Sequence, residues 1–556
     1  MAASSSLPRA DTGSAGAHAR PRPAWAPALP ARTWLALGAI LTLGIVLRAW
    51  ILTGPLGEVE ADESVVGLMA LHIQAGEFPA FYWGQPYLGS LEAYLVAAAF
   101  ALAGPSNLVL KAVPGLAYLA FVLLVFLGAR RDFGDRVALL SALYLALPPS
   151  FLAFWSLKAR GGYVELLALG QALIFLVPWV AQPGGRLALK VGLVAFLAGL
   201  LLWTHVLGLV YVLPVGAYLL LRLGRRLLGF PLLAGLAGVL LGLAPALIYN
   251  LRHGWETFAS LSGGGSSQQA FQDNLATLAQ IGLPVMVGLG QATSSPLLFA
   301  QDWPKRPGSW PWVPPLLLAL LVLALVPSLP SSLTPIRRTS ERQTTAFFGL
   351  AILGLTPILA SLGRFGELVA EPRYALPLYS AVPLFVAALA RRPGRNRRVG
   401  ATRWLALEGA RHAMSLLLGC GLLAINAYSL LTADPRLDLP TTAGASTEAT
   451  RAELLGYLEA HALHDVYVDY WLAYPLMFES RERVLASVSS GGYNRFAPYA
   501  YFVSISERPA FVFVGGSPKQ TEFEARLRDA GGQAVRESVS IYDVYSAVEP
   551  LDRLRP

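Results

Sequence analysis

The sequence predicts a mainly α-helical, polytopic membrane protein of about eleven spans that ends in a small α/β domain outside the bilayer. Three observations predict it. Hydrophobic residues make up 55% of the chain and charged residues only 14%, where soluble domains carry about 25% charged residues. Apolar runs of about 18 residues or more, each long enough for a hydrocarbon core of roughly 30 Å, recur between residues 34 and 431. The arginines gather in short loops beside those runs, as the positive-inside rule demands. The net charge of +9 therefore reflects membrane orientation and is not a nucleic-acid footprint. The one cysteine, Cys420, lies in an apolar run, which excludes a disulfide and a thiolate zinc site in the outer domain.

Residues 1–31 are rich in Ala, Pro, Ser and Arg and read as a disordered cytoplasmic tail. Arg20, Arg22 and Arg32 place the N-terminus inside. The first apolar stretch, 33–52, is too long for a signal-peptide core and reads as a retained anchor. A hydropathy count makes 88–103 the second span. That choice puts Arg130, Arg131 and Arg136 outside, and the run is short and carries Glu92. It is better placed as a helix at the outer interface. The remaining spans then fall at about 107–129, 137–155, 163–181, 190–204, 206–221, 229–250, 311–329, 344–362, 374–390 and 412–432, with every inner loop basic.

This order makes residues 32–432 a transmembrane domain with long outer loops at 54–105 and 251–310, the latter holding a Gly/Ser stretch at 262–267. Residues 433–556 form the outer α/β domain. Thr450-x-x-Glu453 reads as a capping box. Residues 466–470 and 511–514 read as strands, and Ser517-Pro518-Lys519-Gln520 as a helix start. No repeat, Walker loop or dinucleotide loop is present.

Three outer segments could carry chemistry. The first loop holds Glu60-Ala61-Asp62-Glu63, then Gly84-Gln85-Pro86-Tyr87. Charge at a membrane surface is costly to desolvate, and a carboxylate there can take a proton from a hydroxyl or hold a cation. A solvated acidic loop is the plain alternative. The second loop holds Lys158, Arg160 and, at the mouth of the next span, Glu165. Snorkelling cations that anchor two helix ends are its plain alternative. The third is Glu371-Pro372-Arg373-Tyr374, where an Arg could bond a lipid phosphate in bidentate fashion or serve as an interfacial anchor. His205 sits alone at an outer turn and reads as structural.

These elements, in this order and on one face, resemble the GT-C glycosyltransferases, above all bacterial relatives of protein O-mannosyltransferases and of the lipid A aminoarabinose transferase. Asp62-Glu63 matches the acidic pair that follows the first span in that family. Gln85-Pro86 falls where relatives have Lys-Pro or Pro-Pro, Glu165 where they commonly have Asp, and Arg373-Tyr374 looks like the Arg-Tyr that opens a late span. The likeness covers roughly residues 33–390. Gln85 is neutral where the aminoarabinose enzyme has a cation, and Glu165 is a methylene longer than Asp.

The resemblance implies a bacterial inner-membrane enzyme. It would move a sugar from a polyprenyl-phosphate monosaccharide to an outer acceptor, inverting the anomeric centre. Asp62 would be the general base, with Glu63 and Glu165 as further catalytic carboxylates. Arg373, Lys158 and Arg160 would bind the donor phosphate, and Gln85, Tyr87 and Tyr374 would contact substrate. No cofactor is implied. A lone Asp-Glu pair is not a complete hard-cation site, which takes about six oxygens, so metal dependence stays open. The C-terminal domain carries no family motif, which predicts that it is dispensable for the chemical step. The alternatives are a transporter or flippase of lipid-linked sugar, whose polar residues belong near the midplane, and a scaffold, for which eleven spans are too many.

Overall fold

The computed structural model describes residues 30–182, 185–262, 268–290, 344–362, 372–390, 417, 419–434, 446–490 and 492–556. The expected tail (nearly all of 1–31), the expected span 311–329, the basic loops at 337–342 and 391–411 and the second half of the 251–310 loop lie outside the described residues.

Helix α1 (Ala31–Leu52) leads into two shorter helices, α2 (Ala61–Gln74) and α3 (Leu91–Ala103). Then come α4 (Asn107–Phe133), α5 (Asp135–Ala146), α6 (Ser150–Trp155), α7 (Tyr163–Ala181), α8 (Leu187–Thr204), α9 (Leu209–Leu223), α10 (Phe230–Gly242) and α11 (Ala244–Arg252). Among the described residues five helices are long and apolar enough to cross a membrane: α1, α4, α7, α8 and the Val206–Leu227 stretch that contains α9. The pair α10 and α11, bent by 65°, makes a sixth if it is one span. The protein is a multi-pass integral membrane protein.

Two expected spans change shape. The 137–155 run is two helices, α5 and α6, because Pro148 and Pro149 cannot donate to the helix ladder. The 374–390 run opens as a 3-10 helix, Pro372–Ala381, before the α-helix Val382–Ala390. Helix α3 has 13 residues, about 20 Å of rise, and is too short to span. Helices α8 and α10 pack at backbone contact through small residues. A Cβ added at Gly238 would lie 2.2 Å from the Gly192 carbonyl oxygen, a small-residue seam suited to helices whose outer faces meet lipid.

The C-terminal part is a five-stranded sheet in the order β2-β1-β3-β5-β4. Strands β1 (Asp465–Asp469), β2 (Leu485–Ser490) and β3 (Ala510–Val514) run parallel, and β5 (Tyr542–Glu549) pairs antiparallel with β3 and with β4 (Gln533–Val539). Alternating Val and Tyr in β1 bury its centre. Ser517 caps the helix Pro518–Asp529 by accepting from the Gln520 amide at 3.3 Å. The first helix, Glu448–Ala460, starts earlier than the sequence suggested. Its capping box is Thr447 with Thr450, not Thr450 with Glu453, because Thr447 is the residue in extended conformation.

The sheet unit and the first loop share one hydrophobic core. Val65 and Met69 of α2 are buried with Tyr474 and Phe478 of the helix Tyr470–Glu479. Gly67 is the point of closest approach: a Cβ there would lie 2.6 Å from the Phe478 ring. Polar ties flank this core. Arg451, 1% exposed, bonds Glu58 at 2.9 Å and Glu479 at 2.5 Å. The Trp83 and Phe496 rings stack at 4.2 Å.

Candidate active site

The start of α2 sets the site. Glu60 is its N-cap, and the Glu60 amide donates to Glu63 Oε2 at 3.2 Å. Asp62 and Glu63 are therefore first-turn residues, favoured by the unsatisfied amides and the helix dipole. Successive residues on a helix point about 100° apart, and the two carboxylates meet different surroundings.

Asp62 faces the C-terminal domain and keeps 19% of its side chain exposed. Its Oδ1 accepts from Arg495 Nη2 at 2.8 Å and from the Tyr470 hydroxyl at 2.5 Å. Its backbone carbonyl accepts from the Tyr82 hydroxyl at 2.9 Å. Oδ2 accepts no bond from the described residues. The Arg495 guanidinium lies over the rings of Tyr82, Tyr470 and Tyr493 at 5.1, 5.4 and 4.9 Å. Burial and the Asp62 carboxylate push the Tyr470 phenol up, so it remains a donor. The C-terminal domain, expected to be dispensable for the chemical step, contributes two residues that hold Asp62 directly.

Glu63 is sealed in. Lys111 Nζ of α4 lies 2.7 Å from both carboxylate oxygens, and the Ala159 amide donates to Oε1 at 3.2 Å. Glu60 pairs with the fork of Arg160 through both oxygens. These two buried ion pairs bolt the start of α2 to α4 and to the second loop. Arg160 is thereby engaged by Glu60.

Glu165 does not sit at an open mouth. It is 2% exposed, and neither carboxylate oxygen has a partner among the described residues. Glu92 of α3 closes over it, with Oε2 accepting from the Gly161 and Gly162 amides at 2.6 and 2.9 Å. Burial and the neighbouring Glu165 push the Glu92 carboxyl well above the usual carboxylate range.

Arg373 sits in an aromatic surround, 6.0 Å from Trp155, 5.8 Å from Tyr163 and 5.3 Å from Tyr374. Lys158 and Arg160 lie 5.4 and 5.6 Å from the same Trp155 ring, so the structure gathers the three expected phosphate-binding cations around one indole. His205 packs on Tyr163 at 4.7 Å and Tyr374 at 6.5 Å. Tyr87 links the two halves. Burial is the main cause that raises its phenol to about 12, and it feels Tyr374 and Arg373 on one side and Tyr493 and Arg495 on the other. Gln85 is half-buried in the preceding turn, its backbone N–H donating to the Tyr82 carbonyl at 2.9 Å. The Thr257 hydroxyl donates to the next carbonyl, Pro86, tying the later outer loop to this turn.

Among the described residues no cluster of three or more His, Cys, Asp or Glu could hold a metal, and Asp62, Glu60 and Glu63 are each engaged by a cationic side chain. Sequence reasoning missed Arg495, Tyr470, Tyr82 and Trp155 and set His205 aside. The only local signal for Arg495 was its run of turn and aromatic residues, Gly492-Tyr493-Asn494-Arg495-Phe496.

No protein-family model matches the sequence, and no curated protein matches it. Solved structures do. ArnT from Cupriavidus metallidurans bound to undecaprenyl phosphate superposes with a TM-score of 0.55 at 14% identity, over 95% of this chain and 100% of that one. The apo state of the same protein gives 0.54 at 13%, over 94% and 99%. The oligosaccharyltransferase of Archaeoglobus fulgidus gives 0.48 at 14%, over 86% and 69%. The chain shares the fold of the ArnT structure over 95% of its length, a helical membrane part carrying a C-terminal α/β domain.

Proposed function

From that fold, we propose that the protein is a membrane glycosyltransferase. It moves a sugar from a polyprenyl-phosphate monosaccharide to an extracytoplasmic acceptor, with inversion. The observation that carries this reading is one juxtaposition. A partly exposed carboxylate, Asp62, and an aromatic-lined guanidinium, Arg373, both lie within electrostatic reach of the Tyr82–Tyr87 turn. Displacement at a glycosyl phosphate requires a base for the acceptor hydroxyl and a cation for the leaving phosphate. The undecaprenyl phosphate held by ArnT supports a lipid phosphate as the leaving group.

In the reaction, Asp62 accepts the proton of the acceptor hydroxyl. The acceptor oxygen bonds to the anomeric carbon as the bond from that carbon to the phosphate oxygen breaks, and the electron pair leaves with the lipid phosphate. Arg373 stabilises that charge where it develops, with Lys158, on the same Trp155 ring, adding positive charge, while Arg160 is neutralised by Glu60. Arg495 and Tyr470 fix Asp62 by Oδ1 and leave Oδ2 for the acceptor. Tyr87 and Tyr374, which lie within electrostatic reach of each other and of Arg373, contact the substrate together with Gln85. Glu63 acts through structure, by anchoring α2 to Lys111.

The topology that suits this chemistry has the N-terminus in the cytoplasm and residues 54–105 and 433–556 together outside a bacterial inner membrane. The test is sugar release from a radiolabelled polyprenyl-phosphate monosaccharide by purified protein in detergent. Release without a second compartment supports the enzyme. Flux across proteoliposomes without release supports the transporter instead.

A further inference from the structure

His205 lies where α8 meets the 3-10 turn Val206–Gly208 and is 4% exposed. A backbone bond fixes its ring: the Leu207 amide donates to Nδ1 at 3.0 Å. A nitrogen that accepts an amide proton carries none itself, so in the neutral ring the proton is on Nε2. Nε2 has no hydrogen-bond partner among the described residues. The ring stands against Tyr163 and Tyr374, the two tyrosines that also face Arg373. Burial, and then the Arg373 charge, hold the imidazole down to about 3. It is neutral throughout the physiological range.

We propose that His205 is a ligand-binding residue of the donor site, its Nε2–H donating to a phosphoryl oxygen that Arg373 also holds. The proposal rests on the donor-site reading above. A neutral donor beside a guanidinium suits a phosphate monoanion. It adds a directed hydrogen bond without a second full charge that would have to be desolvated when the site is empty. The Leu207 amide is then the device that presents the correct tautomer.

Two substitutions separate this role from that of a turn residue. In His205→Asn the amide oxygen falls near the position of Nδ1 and can still accept from Leu207, but nothing replaces Nε2. In His205→Gln the amide nitrogen falls near Nε2, and the Nδ1 acceptor is lost. The probe is undecaprenyl phosphate, titrated into the purified full-length protein in detergent and read by native mass spectrometry, with melting temperature measured alongside. Losing a hydrogen bond to a charged group weakens binding by about tenfold or more. The expected result is that Asn binds about tenfold or more weakly while Gln stays within about threefold of the native protein.

Native-like binding by Asn overturns the proposal, and so does equal weakening in both variants. Arg373→Ala serves as the reference. If it too binds like the native protein, the donor-site reading fails and takes this inference with it. If it weakens binding while Asn does not, only the role of His205 falls.

Discussion

Replacing Arg495 by Ala tests whether the C-terminal domain takes part in the chemistry. Its Nη2 lies 2.8 Å from Asp62 Oδ1, and its Nε and Nη1 bond the Tyr470 and Tyr493 hydroxyls at 2.5 and 2.7 Å. The Arg495 and Asp62 side chains are 8% and 19% exposed, so solvent screens the pair little. A hydrogen bond to a charged group contributes about 1.5–3 kcal/mol. At about 1.4 kcal/mol per tenfold in rate, losing the orientation it imposes should lower kcat by about ten- to 150-fold. Arg373 and its aromatic surround are untouched, so the donor KM should stay within about threefold. Arg495→Lys keeps the charge but cannot hold Asp62 and both phenols together, and should fall between. The assay is steady-state sugar release, with melting temperature and protease resistance as checks on folding. A well-folded Arg495→Ala protein with native kcat, or one changed only in KM, would refute the idea that the domain positions the base.

The other expectations can be stated together. Glu63→Gln leaves Lys111 buried without its counter-charge and should destabilise the protein by about 3–5 kcal/mol, whereas Glu63→Gln with Lys111→Met should recover most of the lost melting temperature; equal destabilisation in both would show that the pair is not the cause. His72 bonds Glu482 at 2.7 Å and Glu77 at 2.9 Å, and the Glu482 bond is the main reason its imidazole is raised. Its stabilising contribution is full below the unfolded value of about 6.5 and is lost as pH rises through the raised folded value. The melting temperature should fall over that window in the native protein and not in His72→Gln, and matching profiles would count against a stabilising His72–Glu482 pair. For topology, a cysteine at Glu77, which is 52% exposed, in a Cys420→Ser background should react with an impermeant thiol reagent added to intact cells. Labelling only after the cells are opened would invert the proposed orientation.

The membrane part was legible because hydropathy and helix length are local properties. The breaks were partly legible: Pro148-Pro149 announces one, yet a window average hides it. The site was legible only as a list of segments. Asp62 and Glu63 look equivalent in sequence, and only the rotation along α2 turns one toward Arg495 and the other into the Lys111 pair. The partners of Asp62 lie 408 and 433 residues away, and no spacing rule reaches that far. Arg160 was read as a phosphate ligand because its Glu60 partner sits 100 residues earlier. Glu165 was placed at the mouth of its span because nothing local says that Glu92 folds over the start of α7.

The central claim is that Asp62 is the base of a sugar-transfer reaction at the bilayer surface. Asp62→Asn keeps the size of the side chain and can still accept from Arg495 and Tyr470 through its amide oxygen, but it cannot take the acceptor proton. The measurement is turnover of a radiolabelled polyprenyl-phosphate monosaccharide by the purified variant, with donor binding titrated in parallel. Turnover should fall by about 10²–10⁴-fold while donor binding stays within a few-fold. Near-native turnover in a folded Asp62→Asn protein would contradict the account.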